Sequence, residues 1–161
     1  MKLLLILLLF SSQAFAQQDQ LVVDVGLGQF GSRGSSLSQD KFVKFGWQED
    51  LWYVLKQRIN LGAWEDTRGS GYNSAVFTGY QIGFEVTNDV LQGSVWTGPT
   101  ILSSTDQVLG GYLQFNETIF FGIVDKDRNA IGFAYNHFSS GFLSTPNLGR
   151  DYLGIQIKCP F

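Results

Sequence analysis

The chain has 161 residues, and its 14 acidic and 11 basic residues give it a net charge of −3. This acidic balance, without a basic cluster, argues against a nucleic-acid partner. One cysteine and one histidine exclude an internal disulfide framework and the usual zinc ligand sets. The 19 glycines and the 15% aromatic residues instead favour β structure.

The N-terminus has the features of a secretory signal peptide. The segment MKLLLILLLFSSQAFA combines one lysine, an apolar run and a small-x-small cleavage site. The apolar run is shorter than the roughly 20 residues that a helix needs to span a bilayer. We therefore predict a signal peptide over residues 1–16 and one exported domain over residues 17–161.

Apolar and polar residues alternate along the mature chain in successive segments. In LVVDVGLGQF, which begins at Leu21, one face is apolar and the other carries Asp24 and glycines. Alternation with a period of two is the signature of a half-buried strand. It predicts eight strands, at about 20–30, 40–48, 51–65, 73–86, 89–100, 109–124, 130–139 and 150–161.

The predicted connections between these strands alternate in length. GSRGSSLSQ, EDTRGSGY, PTILSSTDQ and SGFLSTPNLGR are long, whereas QED, TND and KDRN are short. Outer-membrane barrels combine short periplasmic turns with long external loops. The final residue, Phe161, shares its parity with Ile155 and Ile157, which resembles the C-terminal signal of such barrels. We predict an all-β fold, an eight-stranded antiparallel outer-membrane β-barrel, in preference to a periplasmic sandwich or soluble barrel.

Three polar residues fall on the lipid-facing side of the last two predicted strands. His137 and Ser139 continue the outward parity of the seventh strand, and Asp151 continues that of the eighth. Ionisable groups that face lipid are costly, which marks them as functional. An imidazole can activate a hydroxyl for ester hydrolysis when a carboxylate orients it. A histidine that only makes a local hydrogen bond is the simpler alternative.

The segment HFSSGFLSTPNLGRDY is similar to the C-terminal active-site segment of the lipid A 3-O-deacylases, outer-membrane enzymes often grouped with acyloxyacyl hydrolases. Over the rest of the mature chain the similarity is looser and includes FGW at 45–47. The matching positions share the family's residue types and spacing, and they are His137, Ser139, Pro146, Asn147, Gly149 and the acid at 151.

The resemblance implies a reaction and a role for each residue. Ser139 would be the nucleophile, His137 the general base and Asp151 the orienting acid of a serine esterase. The substrate would be lipid A of lipopolysaccharide, in contact with outer-membrane lipids, and the product a 3-hydroxy fatty acid. No cofactor or metal is expected, and a homodimer is a possible assembly.

Four positions of the active-site segment need separate treatment: 140, 142, 150 and 151. The family commonly carries Asn directly after the serine and Gly two residues further on, where this chain has Ser140 and Phe142. These positions supply the family's oxyanion hole, so the donors here could be the Gly141 amide or a side chain of Ser140 or Asn147. The family's acid is typically Glu instead of Asp. Arg150 could contact lipid A phosphates if it lies at the outer rim.

Two other functions fit the sequence. A non-catalytic barrel of structural or adhesin type could carry the same polar rim without a working oxyanion hole. A soluble periplasmic lipid carrier could share the alternating strands. Cell fractionation would separate the carrier from the two barrels, and an activity assay would separate the enzyme from the non-catalytic barrel.

Overall fold

The computed structural model describes residues 19–28, 40–66, 73–106 and 108–161. Within them the chain forms one closed antiparallel barrel, in which sequence neighbours pair and β1 pairs with β8. The eight strands are β1 Gln20–Leu27, β2 Lys41–Trp52, β3 Leu55–Glu65, β4 Ala75–Thr87, β5 Leu91–Leu102, β6 Leu113–Val124, β7 Ala130–Ser139 and β8 Arg150–Pro160. The predicted eight-stranded antiparallel barrel is confirmed.

Three strand boundaries differ by four residues from those predicted: the end of β2 and the starts of β3 and β6. β2 continues to Trp52, because Asp50 pairs with Lys56 of β3 in the ladder and forms an ion pair with it. β6 begins at Leu113, because Leu109 lies in the preceding connection, where it forms an isolated bridge with Asn147. The predicted signal peptide lies outside the described residues, as do the last two residues of the predicted first strand. No helix in the described ranges is long and apolar enough to cross a membrane.

The connections at the two ends of the barrel differ in length. The end where β1 begins and β8 ends has the short turns at 53–54, 88–90 and 125–129. The opposite end, called here the loop end, has the connections at 28–40, 66–74, 103–112 and 140–149. This arrangement agrees with the alternation of long and short connections predicted from the sequence.

Side chains alternate between a largely polar interior and an apolar outer face. Inside the barrel, Lys44 pairs with Asp24 at 3.2 Å and Lys158 pairs with Glu85 at 2.6 Å. Buried charges need such partners, because an isolated charge is strongly disfavoured away from water. The outer face carries exposed Leu, Ile, Val and Phe side chains on every strand. An apolar outer face around a polar interior is typical of barrels that contact lipid.

An aromatic cluster fills the interior at the loop end. The rings of Phe42 and Tyr152 stack with their centroids 4.7 Å apart. Gly62 makes room for the cluster, because a Cβ there would collide with the ring of Phe77. The complete set of rings is Phe42, Trp64, Phe77, Phe138 and Tyr152. Phe138 belongs to β7 and Tyr152 to β8, so the cluster supports these two strands from inside.

Candidate active site

His137 and Asp151 lie side by side on the outer face of the barrel, near its loop end. The register of β7 and β8 places the two residues directly opposite each other. His137 Nδ1 lies 2.6 Å from Asp151 Oδ1, which is a hydrogen-bonding distance. The side chains are 28% and 11% exposed, respectively. A carboxylate at Nδ1 keeps the proton on that nitrogen, so Nε2 is the nitrogen that can act as a base.

Ser139 lies two residues beyond His137 on the same face of β7. The strand rise of 3.2–3.4 Å per residue puts their Cα atoms roughly 6.5 Å apart. In the described part of the chain, the hydrogen bond of the imidazole is made to Asp151 and not to the Ser139 hydroxyl. The structure therefore joins His137 and Asp151 and places Ser139 two residues further along the same face of β7.

A side chain that the sequence did not single out also contacts Asp151. Tyr135 lies two residues before His137 on the outer face, and its hydroxyl donates a hydrogen bond to Asp151 Oδ1. The alternation of β7 puts Tyr135 on this face, but its contact depends on the register between β7 and β8. No local pattern specifies that register, so Tyr135 could be recognised only once the strands were paired.

The β7–β8 connection folds back on itself directly after Ser139. The Ser140 amide donates a hydrogen bond to Asn147 Oδ1 at 2.8 Å. The Ser140 hydroxyl donates to the backbone carbonyl of Ser144 at 3.2 Å. The first of these bonds brings Asn147 close to Ser140, at the start of the connection.

Three residues of this connection have left-handed backbone: φ is 55° at Gly141, 70° at Phe142 and 77° at Gly149. Glycine adopts this conformation easily, whereas a bulky residue is disfavoured there. Gly149 also lies against the imidazole, since a Cβ on it would be 2.8 Å from His137 Cε1. Phe142 is 96% exposed and occupies the position where the family's pattern has glycine.

Arg150 lies inside the barrel. Because side chains alternate along β8, Arg150 points inward where Asp151 points outward. Its guanidinium is buried and forms ion pairs with Asp40 at 3.4 Å, with Asp66 at 2.8 Å and with Asp106. This placement corrects the expectation that Arg150 contacts a substrate at the outer rim. Among the described residues, no group of three or more His, Cys, Asp or Glu side chains is arranged to hold a metal ion.

Comparisons with known proteins identify a family. A family model described as lipid A 3-O-deacylase (PagL) matches residues 36–160. A crystal structure described as that of the outer membrane enzyme PagL is 20% identical, with a TM-score of 0.59, over 91% of this chain and 100% of that chain. No curated protein sequence matches the chain. Because the family model covers most of the sequence, this protein belongs to the lipid A 3-O-deacylase (PagL) family.

Proposed function

We propose that this chain is an outer-membrane serine esterase that hydrolyses the 3-O-linked acyl ester of lipid A and releases a 3-hydroxy fatty acid. The observation that carries the proposal is the hydrogen-bonded pair of His137 and Asp151 on an apolar outer face, beside Ser139. Ionisable groups that face lipid are costly, and they mark functional sites by default. Membership of the deacylase family supports lipid A as the substrate.

The position of the site on the barrel suits an ester within a lipid. Exposed apolar side chains surround it on β7 and β8, among them Phe133, Leu153 and Ile155. A belt of this kind matches the hydrocarbon of a bilayer, and the loop end then lies at the headgroups. The acyl esters of lipid A join fatty chains to sugar, so they lie at the same boundary. The proposal therefore includes an outer-membrane location, reached after removal of the predicted signal peptide.

The proposed reaction passes through an acyl-enzyme. Ser139 Oγ attacks the carbonyl carbon while His137 Nε2 takes the hydroxyl proton, and Asp151 stabilises the imidazolium that forms. The tetrahedral intermediate then breaks its bond to the sugar oxygen, which receives the proton from His137. Water attacks the acyl group on Ser139 with His137 again as the base, and the free 3-hydroxy fatty acid leaves.

The reaction begins when the Ser139 hydroxyl comes within hydrogen-bond reach of His137 Nε2, at about 2.6–3.2 Å. Catalytic hydrogen bonds are often long before substrate binds and shorten in the complex. The spacing of Ser139 and His137 along β7 is therefore compatible with the proposed roles.

The hydrogen bonds of the β7–β8 connection narrow the choice of oxyanion donors. The Ser140 amide and hydroxyl are both engaged, with Asn147 Oδ1 and with the Ser144 carbonyl. This favours the Gly141 amide and Asn147 Nδ2, whose orientation is set by the bond from Ser140. Removing one such donor costs roughly 100- to 1000-fold in kcat. Asn147 is thus the side chain whose truncation should reduce the rate most after the triad.

The test is to express the protein in a lipid A-bearing outer membrane and to measure lipid A masses. Ser139→Ala is compared with Thr97→Ala, which removes a hydroxyl from the exposed outer face of β5. We expect the wild type and Thr97→Ala to produce lipid A that lacks one hydroxyacyl chain, and Ser139→Ala to leave lipid A intact. The folded state of each barrel is checked by its heat-dependent mobility on gels.

Two results would contradict the proposal. Deacylation by Ser139→Ala would exclude Ser139 as the nucleophile. Unchanged lipid A with the wild-type barrel folded and inserted, together with no hydrolysis of a simple ester in detergent, would favour the non-catalytic barrel.

A further inference from the structure

Asp151 Oδ1 accepts hydrogen bonds from two side chains of β7, and one of them lies outside the proposed triad. His137 Nδ1 is 2.6 Å from this oxygen, and the Tyr135 hydroxyl also donates to it. Tyr135 lies opposite Leu153 in the ladder, so its side chain reaches diagonally across the strand pair to Asp151. Long side chains can bridge this diagonal, which is about 7–8 Å between neighbouring strands.

The simplest role for an outward tyrosine on a barrel is an interfacial anchor, with its hydroxyl among the headgroups. Tyr135 departs from that role, because its ring is partly buried and its hydroxyl is bonded to a carboxylate. Tyr80 is an exposed outward tyrosine of β4, and its hydroxyl donates to Gln57 Oε1. Both hydroxyls are hydrogen-bonded to side chains, but Tyr135 is bonded to the residue that holds the base.

We infer that Tyr135 is a positioning residue that acts on His137 through Asp151, an inference that rests on the proposed function. An Asp side chain held by the imidazole alone can rotate about its own bonds, whereas a second donor on the same oxygen restricts it. Water cannot easily replace a lost donor on an apolar, lipid-facing surface. Tyr135 therefore keeps Asp151 aligned with His137 Nδ1 while a proton moves between Ser139 and Nε2.

Tyr135→Phe removes the hydroxyl and keeps the ring. Hydrogen bonds to charged groups are stronger than those between neutral groups, so we expect kcat to fall by about 10-fold. KM should change little, because the variant leaves the outer surface around the site apolar. Tyr80→Phe is the matched control, since it removes a hydroxyl that is bonded to a side chain elsewhere on the outer face.

The single histidine allows the contact to be observed independently of activity. In untagged protein refolded in detergent, the imidazole nitrogen and Nδ1-proton signals in NMR spectra can come only from His137. We expect Tyr135→Phe to shift these signals and to accelerate exchange of the Nδ1 proton with water. Tyr80→Phe should leave both unchanged.

Three results would decide against the inference. Unchanged His137 signals in Tyr135→Phe would overturn it, as would a wild-type kcat in that variant. An equal loss of kcat in Tyr80→Phe would overturn it in favour of a general effect of outward tyrosines on the barrel. A wild-type protein that releases no acyl chain, but whose His137 signals respond to Tyr135→Phe, would instead overturn the proposed function and support the contact.

Discussion

Gly149 provides a direct test of the position of the His137 imidazole. It ends the β7–β8 connection with a φ of 77°, and a Cβ on it would lie 2.8 Å from His137 Cε1. Gly149→Ala therefore places a methyl group against the ring and retains every polar group of the site. We expect a folded barrel with a reduced rate.

Gly149→Ala has two separate effects, one on the free energy of folding and one on kcat. An alanine in the left-handed conformation costs about 1–2 kcal/mol in the free energy of folding. An ordinary contact with the new methyl group begins at 3.4 Å, so the ring must move by 3.4 − 2.8 = 0.6 Å. A catalytic misplacement of about 1 Å can cost roughly 100-fold in rate, so a shift of this size predicts a fall in kcat of roughly 10- to 20-fold.

The assay measures kcat and KM for release of the hydroxy fatty acid from lipid A by refolded protein. Gly28→Ala is the control for the backbone effect, because Gly28 has a φ of 86° and is buried at the end of β1. Both variants should lose stability, whereas the loss of kcat should be confined to Gly149→Ala. A wild-type kcat in folded Gly149→Ala, or an equal loss in Gly28→Ala, would refute the placement of the imidazole against Gly149.

Two further predictions concern stability. Arg150→Met leaves the aspartates that pair with Arg150 buried without their guanidinium. We expect the free energy of unfolding, measured in urea, to fall by about 3–5 kcal/mol. Lys126→Met, in an exposed turn, is the control and should change the free energy of unfolding little. Asp125 accepts hydrogen bonds from the side chain and amide of Asn129, which hold the pKa of its carboxyl below the usual value. Such a carboxylate stabilises the fold above its unfolded pKa, and this contribution is lost as the pH falls through the folded pKa. Asp125→Ala should therefore lower Tm at pH 7 and leave it unchanged at a pH below the folded pKa; a constant difference across this range would contradict the hydrogen-bonded turn.

The fold and the faces of its strands could be predicted because they depend on local patterns. Successive side chains of a strand point to opposite faces, so β7 alone indicates that His137 and Ser139 point outward and Asn136 points inward. The lengths of the connections likewise distinguish the loop end from the end where β1 begins and β8 ends. The predicted strand boundaries were less accurate where residues pair outside the neighbouring strand, as Leu109 does with Asn147 in the connection before β6.

Contacts within the site could be predicted only in part. The outward parity of the two strands and the chemistry of the side chains predicted that Asp151 orients His137 from the neighbouring strand. The sequence does not state how β7 and β8 are aligned, so their direct pairing was known only from the structure. The partners of Arg150 lie at three positions far apart in the chain and meet only at the loop end. Their pairing explains how Arg150 can be buried inside the barrel, whereas the sequence analysis considered it as a contact for lipid A phosphates at the outer rim.

The number of strands and the outward direction of their residues could be read from the chain alone, because the direction of a side chain follows from the two-residue repeat of its own strand. That His137 and Tyr135 share one oxygen of Asp151, and that Gly149 lies against the imidazole, could be known only from the folded barrel. Contact between side chains depends instead on the register of separate strands, which closure of the whole barrel sets.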